Sequence, residues 1–220
     1  MGPGRLFALT LGCFVGGHLA ILGVFGAIRR GVTREAPRVR VDAAGLRYFA
    51  EFVLAEAFML TAALQLGVVR LSGFSAPRTL LTLGVGFVWW EAWFYFGHRL
   101  LHTRWLYPLH RPHHATRGLH PSLSFSAGET VVLSSGFYIP LALASQLYEG
   151  VSAETLALVF SGAYVLNVLS HLDVGAFEGT AVGPLLGSAR RHARHHAGRR
   201  GNYGLNSAWL DRACGTEAAG

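Results

Sequence analysis

The sequence predicts an all-α integral membrane protein, a helical bundle of about four to five transmembrane helices with a helical cap that carries clustered histidines. Two observations predict this fold class. The 220 residues are 51% hydrophobic and only 14% charged, whereas soluble domains usually carry about a quarter charged residues. Five long apolar runs follow one another along the chain, and they lack the strict alternation that membrane-spanning barrel strands require.

Each apolar run approaches the roughly 20 residues that a helix needs to cross a membrane. The runs cover residues 6–28, 52–69, 80–96, 131–147 and 156–169. The first is too long to prefer as a signal peptide. The second begins beside Glu51 and Glu56, so it either spans the membrane or lies in the interface. The fifth is short and needs its flank up to His171 to span.

Arginine placement predicts the topology. All 19 basic residues are arginines. If the N-terminus lies outside and all five runs cross, the outer segments hold only Arg5, Arg70 and Arg78, which is a strong positive-inside bias. The arginines lie beside apolar runs and form no separate basic tail, so a membrane is favoured over nucleic acid as partner. The short chain suggests a bacterial protein, so we expect a multi-pass protein of a bacterial inner membrane.

Three histidine boxes carry the functional signal: HRLLH at 98–102, HRPHH at 110–114 and HARHH at 192–196. In HxxxH the two rings lie one helical turn apart, and in HxxHH the first ring faces the last two. Imidazoles this close are good ligands for a shared cation. Pro112 is tolerated only in a first helical turn, so His113 and His114 are expected to open a short helix. The topology places all three boxes on the cytoplasmic side, which predicts metal-dependent chemistry at the membrane surface.

The number of histidines predicts two metals. Eight imidazoles exceed what one tetrahedral zinc uses, and they suit two metals that share a cage. Imidazole binds iron, copper, zinc and nickel alike, so the ligands leave the metal open. The absence of HExxH disfavours a zinc protease, and the absence of the Glu-plus-ExxH pattern disfavours a carboxylate di-iron bundle. The competing interpretation is a set of surface histidines that binds lipid phosphate.

Residues outside the boxes supply further candidates. His171 ends the fifth run and is predicted to be a ligand, with Asn167 one turn earlier on the same face. Glu91 lies two turns before the first box, inside the membrane, where carboxylates are usually functional. Glu91 and Asn167 are therefore candidates to support the site, although a helix–helix hydrogen bond explains Glu91 equally well. His120 is either a ligand or a loop histidine, and His18 is predicted to be a buried structural residue.

An aromatic stretch precedes the first box, between residues 89 and 96. Most of these rings are expected to supply packing bulk or to face lipid. Those that share the helical face of Glu91 and His98 could line a pocket for an acyl chain or a polycyclic substrate.

The boxes, in this order and topology, resemble the fatty acid hydroxylase/sterol desaturase superfamily of integral-membrane di-iron oxidoreductases. The stretch EAWFYFGHRLLHTRWLYPLHRPHH is similar to its helix-into-loop core, and the tail RRHARHHAGRRGNYGLNSAWLDRACGT is similar to its closing segment. The likeness runs from about Trp90 to Thr216. We therefore expect an N-terminal region of two transmembrane helices at 1–80 and a catalytic domain at 81–220.

The resemblance implies an enzyme that uses O2 and external electrons to hydroxylate or desaturate a C–H bond of a lipid, whether fatty acyl, sterol-like or carotenoid. It implies two iron ions. His120 is a further candidate ligand that the resemblance does not include. Where some relatives have a histidine four residues before His171, this chain has Asn167, so one metal is left a ligand short or is completed by water. Each coordinating ring would need an outer acceptor, such as Glu91 or Asp211. The main set of implied ligands is His98, His102, His110, His113, His114, His171, His192, His195 and His196.

The chain has no dinucleotide fingerprint, no haem CxxCH and no iron–sulfur cysteine run, so an oxygenase would need a separate reductase with a ferredoxin or a b-type cytochrome.

Two alternatives to an oxygenase stay open at this point. A non-enzymatic metal-binding membrane protein or transporter would instead need polar residues through its spans. A hydrolase with two zinc ions would need neither O2 nor a reductant.

Overall fold

The computed structural model describes residues 2–33, 42–115, 121–171, 189–198 and 200–218. Within these ranges the chain forms eight α-helices, one turn of 3₁₀-helix at Pro121–Leu123 and no β-strand, which confirms the all-α class. The helices are α1 (Pro3–Thr33), α2 (Ala43–Gln65), α3 (Ala76–Leu101), α4 (Tyr107–Ala115), α5 (Ala127–Leu147), α6 (Ala153–Ser170), α7 (Ala189–His196) and α8 (Trp209–Ala213).

Side-chain caps fix where three of the long helices begin. Asp42, Ser126 and Ser152 have extended backbones, and each side chain accepts a hydrogen bond from the backbone N–H three residues later. Such caps satisfy donors that the first helical turn leaves without a partner. At the start of α3, Pro77 has no N–H, so the first turn has one donor fewer to satisfy.

Four helices are long and apolar enough to cross a membrane: α1 over Pro3–Val24, α2, α5 and α6. These coincide with four of the five predicted runs, and the chain is a membrane protein. The predicted third run, at 80–96, lies in α3, which is 26 residues long but is absent from the described helices that qualify. Indole and phenol rings are only partly apolar, and α3 also carries Glu91, His98 and Arg99, so its composition falls short.

Helices α3 and α5 pack through tryptophans that donate to main-chain carbonyls. Trp89 Nε1 donates to Gly136 O and Trp93 Nε1 to Val132 O, each at 3.0 Å. Gly136 permits this contact, because a Cβ there would lie 2.2 Å from Trp93 Cδ1. Helices α3 and α5 are thereby held in a fixed register.

The first two helices pack against the same core. In α1, Thr10 Oγ1 lies 3.0 Å from Thr61 Oγ1 of α2. His18 is buried, as predicted, and its ring centroid lies 3.7 Å from that of Tyr164 in α6. Helices α1 and α2 thus share a core with the rest of the bundle, and the boundary at residue 81 stays a prediction.

The connections α2–α3 and α5–α6 meet at one end of the bundle. Leu71 and Val151 form an isolated parallel bridge, in which Val151 N donates to Arg70 O at 2.8 Å and Ser72 N to Val151 O at 3.0 Å. Helix α3 starts at this end, so its C-terminus and the first histidine box lie at the opposite end.

Candidate metal centre

Nine histidines meet at the end of the bundle opposite the Leu71–Val151 bridge. They come from four places: the last turn of α3, helix α4, the residue that caps α6, and helix α7. They are the three predicted boxes together with the predicted His171. Their convergence is a property of the structure, and their role as metal ligands stays a prediction.

The rings fall into two groups, within each of which one nitrogen per ring lies within 4.8 Å of the others. The first group has five members and the second has four. The first group is His98, His102, His110, His114 and His195. The second group is His113, His171, His192 and His196.

The division crosses the boundaries of the boxes. His110 and His114 of α4 belong to the first group, whereas His113 belongs to the second. In α7, His192 and His196 belong to the second group and His195 to the first. Positions i and i+4 share a helical face, and the intervening residue points elsewhere. Each HxxHH box therefore contributes to both groups.

The Nε2 atoms within each group point at one another. In the first group, His110 Nε2 lies 3.0 Å from both His98 Nε2 and His114 Nε2. In the second, His192 Nε2 lies 2.9 Å from His171 Nε2 and 3.0 Å from His196 Nε2. These nitrogen–nitrogen contacts surround two centres, one in each group.

The two groups adjoin and form one cage. The rings of His114 and His196, one from each group, stack with 4.6 Å between centroids and 28° between planes. His98 and His192 also face each other across the boundary, with centroids 6.0 Å apart. Ions held by the two groups would be close neighbours.

Outer nitrogens of the rings are held by main-chain carbonyls. A proton on Nδ1 that is donated outward leaves the Nε2 lone pair free for a metal. Four rings show this arrangement, at Nδ1–O distances from 2.7 to 3.3 Å. The pairs are His98 with Tyr203, His113 with Ser124, His171 with Asn167, and His195 with Gly201.

Glu129 holds a fifth ring, a contact that the sequence alone did not predict. Its Oε1 atom accepts from His110 Nδ1 at 2.6 Å, and both side chains are buried. The available signal was a single acidic residue at the start of an apolar run, three positions after the Ser126 cap. An acidic residue in the first turn of a helix also interacts favourably with the helix dipole, so this position alone did not indicate a histidine partner.

Helix α4 begins earlier than predicted. We expected His113 and His114 to open the helix, but it starts at Tyr107 and contains Pro112. The expectation was wrong because Pro112 removes only one backbone bond from a nine-residue helix that packing already holds. Ser126 Oγ donates to Leu109 O at 2.7 Å and so attaches α4 to the start of α5.

Glu91 has a different set of partners from the expected ring. Its carboxylate accepts from Asn206 Nδ2 at 2.7 Å and from the Ser207 hydroxyl. Among the described residues, none of its hydrogen bonds reaches a histidine. Glu91 thus fastens the segment after the third box to α3, and its support of the site is indirect.

Asn167 and Asp211 also act through the backbone. Asn167 Nδ2 donates to Ser122 O at 3.1 Å, and its own carbonyl accepts from His171. Asp211 accepts from the backbone N–H groups of Tyr203 and Gly204, each at 2.8 Å. This carboxylate shapes the loop that presents the Tyr203 carbonyl to its histidine. His120 lies outside the described residues.

The environment keeps the rings neutral. Burial, followed by the neighbouring imidazoles, lowers the pKa of His102 to about 3 and that of His114 to about 4. The same causes place the pKa values of His113 and His192 well below the usual range. Neutral imidazole is the form that binds metals.

The donor set fits two metal ions. Nitrogens 3.0 Å apart have the spacing of neighbours around a centre roughly 2.1 Å from each. The Nε2 atoms of His102 and His195 are buried without a hydrogen-bond partner among the described residues, which is costly unless something binds them. An all-imidazole set suits iron, copper and zinc.

An apolar cavity of about 60 Å³, the aromatic cavity, lies between the cage and the interior of the bundle. Phe125 on its wall stacks on His113 of the second group, with centroids 4.6 Å apart. Phe94, also on the wall, lies 5.1 Å from His98 of the first group. The aromatic residues that line it include Phe14, Phe52, Trp90, Phe94, Phe125 and Phe160.

Comparison with known proteins gives a family match. The family model for fatty acid hydroxylase matches residues 83–216, which include every histidine of both groups. Methylsterol monooxygenase 1 of Rattus norvegicus is 32% identical over an alignment of 138 residues, which covers 58% of this chain and 43% of the rat protein. The Gallus gallus protein of the same name is 30% identical over the same shares.

The chain thus spans less than half the length of the curated relatives it matches. No solved structure matches it significantly.

Proposed function

The chain belongs to the fatty acid hydroxylase family, and from this membership we propose that it is a membrane-bound oxidoreductase that uses O2 to hydroxylate or desaturate a C–H bond of a lipid. One observation carries the proposal: nine imidazoles form two adjoining groups directly beside an apolar cavity. Such a site brings an unactivated hydrocarbon next to a pair of metal positions.

The first group would hold one iron ion and the second group the other, with His120 a further candidate ligand. Bound iron would supply the activation of O2, which no amino-acid side chain performs. The second group has four imidazoles, and Asn167 stands where some relatives have another histidine. That side of the cage therefore has more room for water or for a reacting molecule.

The surrounding residues orient the rings. Glu129 and the carbonyls of Tyr203 and Gly201 accept the outer N–H groups, which holds each Nε2 toward its centre. Partners of this kind typically affect metal affinity by about ten- to a hundredfold. Phe94 and Phe125 place apolar rings between the cage and the bundle interior, which would exclude water from the aromatic cavity.

The electron balance requires a partner. In hydroxylation, one oxygen atom of O2 enters the C–H bond and the other leaves as water, which takes up two electrons and two protons. The sequence carries no redox cofactor motif, so we propose a separate reductase with a ferredoxin or a b-type cytochrome. Arg99, Arg104 and Arg111 are exposed near the cage, and they would attract an acidic donor protein.

We place the protein in a bacterial inner membrane, with the cage at the cytoplasmic face. The arginine bias of the predicted loops supports this orientation. Residues 1–80 would anchor the chain, and residues 81–220 would carry the catalysis. The name of the relatives states that they act on a methylsterol. For this chain we propose a lipid substrate, and a sterol-like one is favoured.

The test compares lipids from a host that expresses the wild type with lipids from one that expresses His195→Ala. We expect mass shifts of about +16 for hydroxylation or −2 for desaturation, present only with the wild type and only with O2. Purified protein from iron-replete cells should contain close to two iron ions per chain. Zinc alone in such a preparation, or an unchanged product in the absence of O2, would overturn the proposal.

A further inference from the structure

Two arginines at the end of the bundle opposite the cage have no part in the proposed metal centre. Arg70 lies in the connection between α2 and α3, and Arg78 lies in the first turn of α3. Both side chains are exposed. The ion pairs within the described part of the chain involve other residues, so neither of these arginines has a carboxylate partner there. Glu149 and Glu154 are exposed at the same end and do not neutralise them.

The structure fixes both guanidinium groups at the C-terminus of α5. Arg78 Nη1 donates to Tyr148 O at 3.2 Å, and its Cζ atom lies 5.7 Å from the centre of the Tyr148 ring. Arg70 Nη2 donates to Gln146 Oε1, and Arg70 N donates to Ser145 Oγ at 2.7 Å. A guanidinium group has five N–H donors, so most of them stay available. The arginine pair, Arg70 and Arg78, thus presents two positive charges at one place, which suits a phosphate group.

An apolar groove of about 210 Å³ between α3 and α5 begins beside the arginine pair. Arg78 shares one face of α3 with Val85 and Trp89, which follow it by seven and eleven residues. On α5, Gln146 likewise shares a face with Leu143. Val85 is 56% exposed and Leu143 59% exposed, so the groove is open to the membrane. Its lining includes Val85, Trp89, Ile139, Leu143, Leu147 and Tyr148.

The combination matches an amphiphile with a negative headgroup. Along α3 the groove runs from Leu81 to Trp89, which is about 12 Å at the helical rise. Free phosphate would leave the groove empty, and a hydrocarbon alone would leave the arginine pair without a counter-ion. Two positive charges favour a lipid with net negative charge over a zwitterionic one.

We propose that the arginine pair and the groove bind one anionic glycerophospholipid, in the leaflet opposite the cage. Its phosphate accepts from Arg70 and Arg78, and one of its acyl chains lies in the groove between α3 and α5. The bound lipid covers exposed apolar side chains of both helices and thereby stabilises their packing.

This lipid is distinct from the proposed substrate. Arg78 and His98 lie 20 residues apart in the single helix α3, which places them about 30 Å from each other. That distance equals the thickness of the hydrocarbon core of a bilayer. The inference therefore goes beyond the proposed function and holds whether or not the cage activates O2.

Native mass spectrometry of the full-length protein, purified free of lipid in detergent, tests the headgroup contact. The probe is phosphatidylglycerol, and phosphatidylcholine with the same acyl chains is the zwitterionic comparison. We expect phosphatidylglycerol to bind roughly tenfold more tightly. Arg70→Gln and Arg78→Gln should each weaken its binding roughly fivefold, and the double variant should lose the preference for the anionic lipid.

Arg5→Gln is the matched control for charge. Arg5 is also exposed and lies in the first turn of α1. It belongs to the same end of the bundle, because Thr10 of α1 contacts Thr61 near the end of α2. Arg5 is not part of the groove lining, so this variant should keep the wild-type preference.

A second pair of variants tests the groove. Val85→Trp fills it and keeps both arginines. If the indole displaces two methylene groups of the acyl chain, each lipid should bind roughly tenfold more weakly. Val88→Trp is the control, because Val88 is exposed on the same helix but does not line the groove. Inorganic phosphate in large excess should not displace the lipid.

Four results would overturn the inference: equal binding of the two lipids, a preference that survives in the double arginine variant, wild-type binding by Val85→Trp, or displacement by inorganic phosphate. A lipid-free dimer that Val85→Trp abolishes would assign the groove to a second copy of the chain instead. Oxidation of the bound phosphatidylglycerol by iron-loaded protein with O2 and a reductant would make it a substrate and would also contradict the inference. Unaltered lipid together with a failed lipidomics experiment would remove the proposed function alone.

Discussion

His110 Nδ1 donates to Glu129 Oε1 at 2.6 Å, and this bond joins the second histidine box to the first turn of the long apolar helix α5. The other nitrogen of the same ring lies 3.0 Å from two neighbouring imidazoles. A neutral imidazole carries one N–H, and the bond to Glu129 keeps that proton on Nδ1 of His110. Glu129 therefore determines that the unprotonated Nε2 faces the cage.

Glu129→Gln should therefore lower metal affinity. The amide keeps the size of the side chain but accepts a weaker, uncharged hydrogen bond from His110. We expect the affinity for iron to fall about ten- to a hundredfold, measured by competition with a chelator of known affinity. Glu154→Gln is the matched control, and wild-type affinity in Glu129→Gln would contradict the prediction.

The two histidine groups should load separately. His102→Ala removes a ring from the first group, and His196→Ala removes one from the second. Each variant is expected to lose about one of the two proposed iron equivalents, and the double variant both, since ligands of the other group stay in place. Elemental analysis of purified protein measures this. Arg194→Ala, on the same helix as His196, is the control, and loss of both ions from either single variant would argue for one indivisible site.

Asp211→Asn should loosen the loop that presents carbonyls to the rings. An amide group replaces one acceptor oxygen with a donor, which then meets the N–H of Tyr203 or Gly204. We expect a loss of about 1–3 kcal/mol in the free energy of unfolding, followed as a lower unfolding midpoint in detergent. Cys214→Ser, an exposed change nearby, should leave the midpoint unchanged; equal midpoints for all three proteins would refute the role assigned to Asp211.

Gly136→Ala should destabilise the α3–α5 interface. The new Cβ would lie 2.2 Å from Trp93 Cδ1, so the indole must move away and its bond to the Val132 carbonyl is weakened. Overpacking of this kind costs about 1–3 kcal/mol. Gly84→Ala is the control, because no atom lies within 4 Å of a Cβ at that position. Thermal unfolding of both variants in the same detergent provides the comparison, and similar midpoints would show that the interface yields.

Much of the architecture followed from local sequence. Apolar runs predicted α1, α2, α5 and α6, because a segment in lipid must satisfy its own backbone and does so as a helix. The weaker case was α3, whose aromatic, acidic and basic residues face a protein interior and a polar cage as well as lipid. Neighbouring helices bury several of these polar residues, so α3 takes its place in the bundle although it is less apolar than the other long helices.

The chain itself determined which histidines could share a helical face, because the spacing of 3.6 residues per turn is fixed by backbone geometry. Tertiary packing alone decided that His113 leaves its box neighbours and joins His192, and that Glu129 reaches His110 while Glu91 reaches Asn206. These choices depend on how separate helices approach one another. Main-chain carbonyls such as that of Tyr203 are present in every residue, so only the folded backbone distinguishes the few that hold a ring.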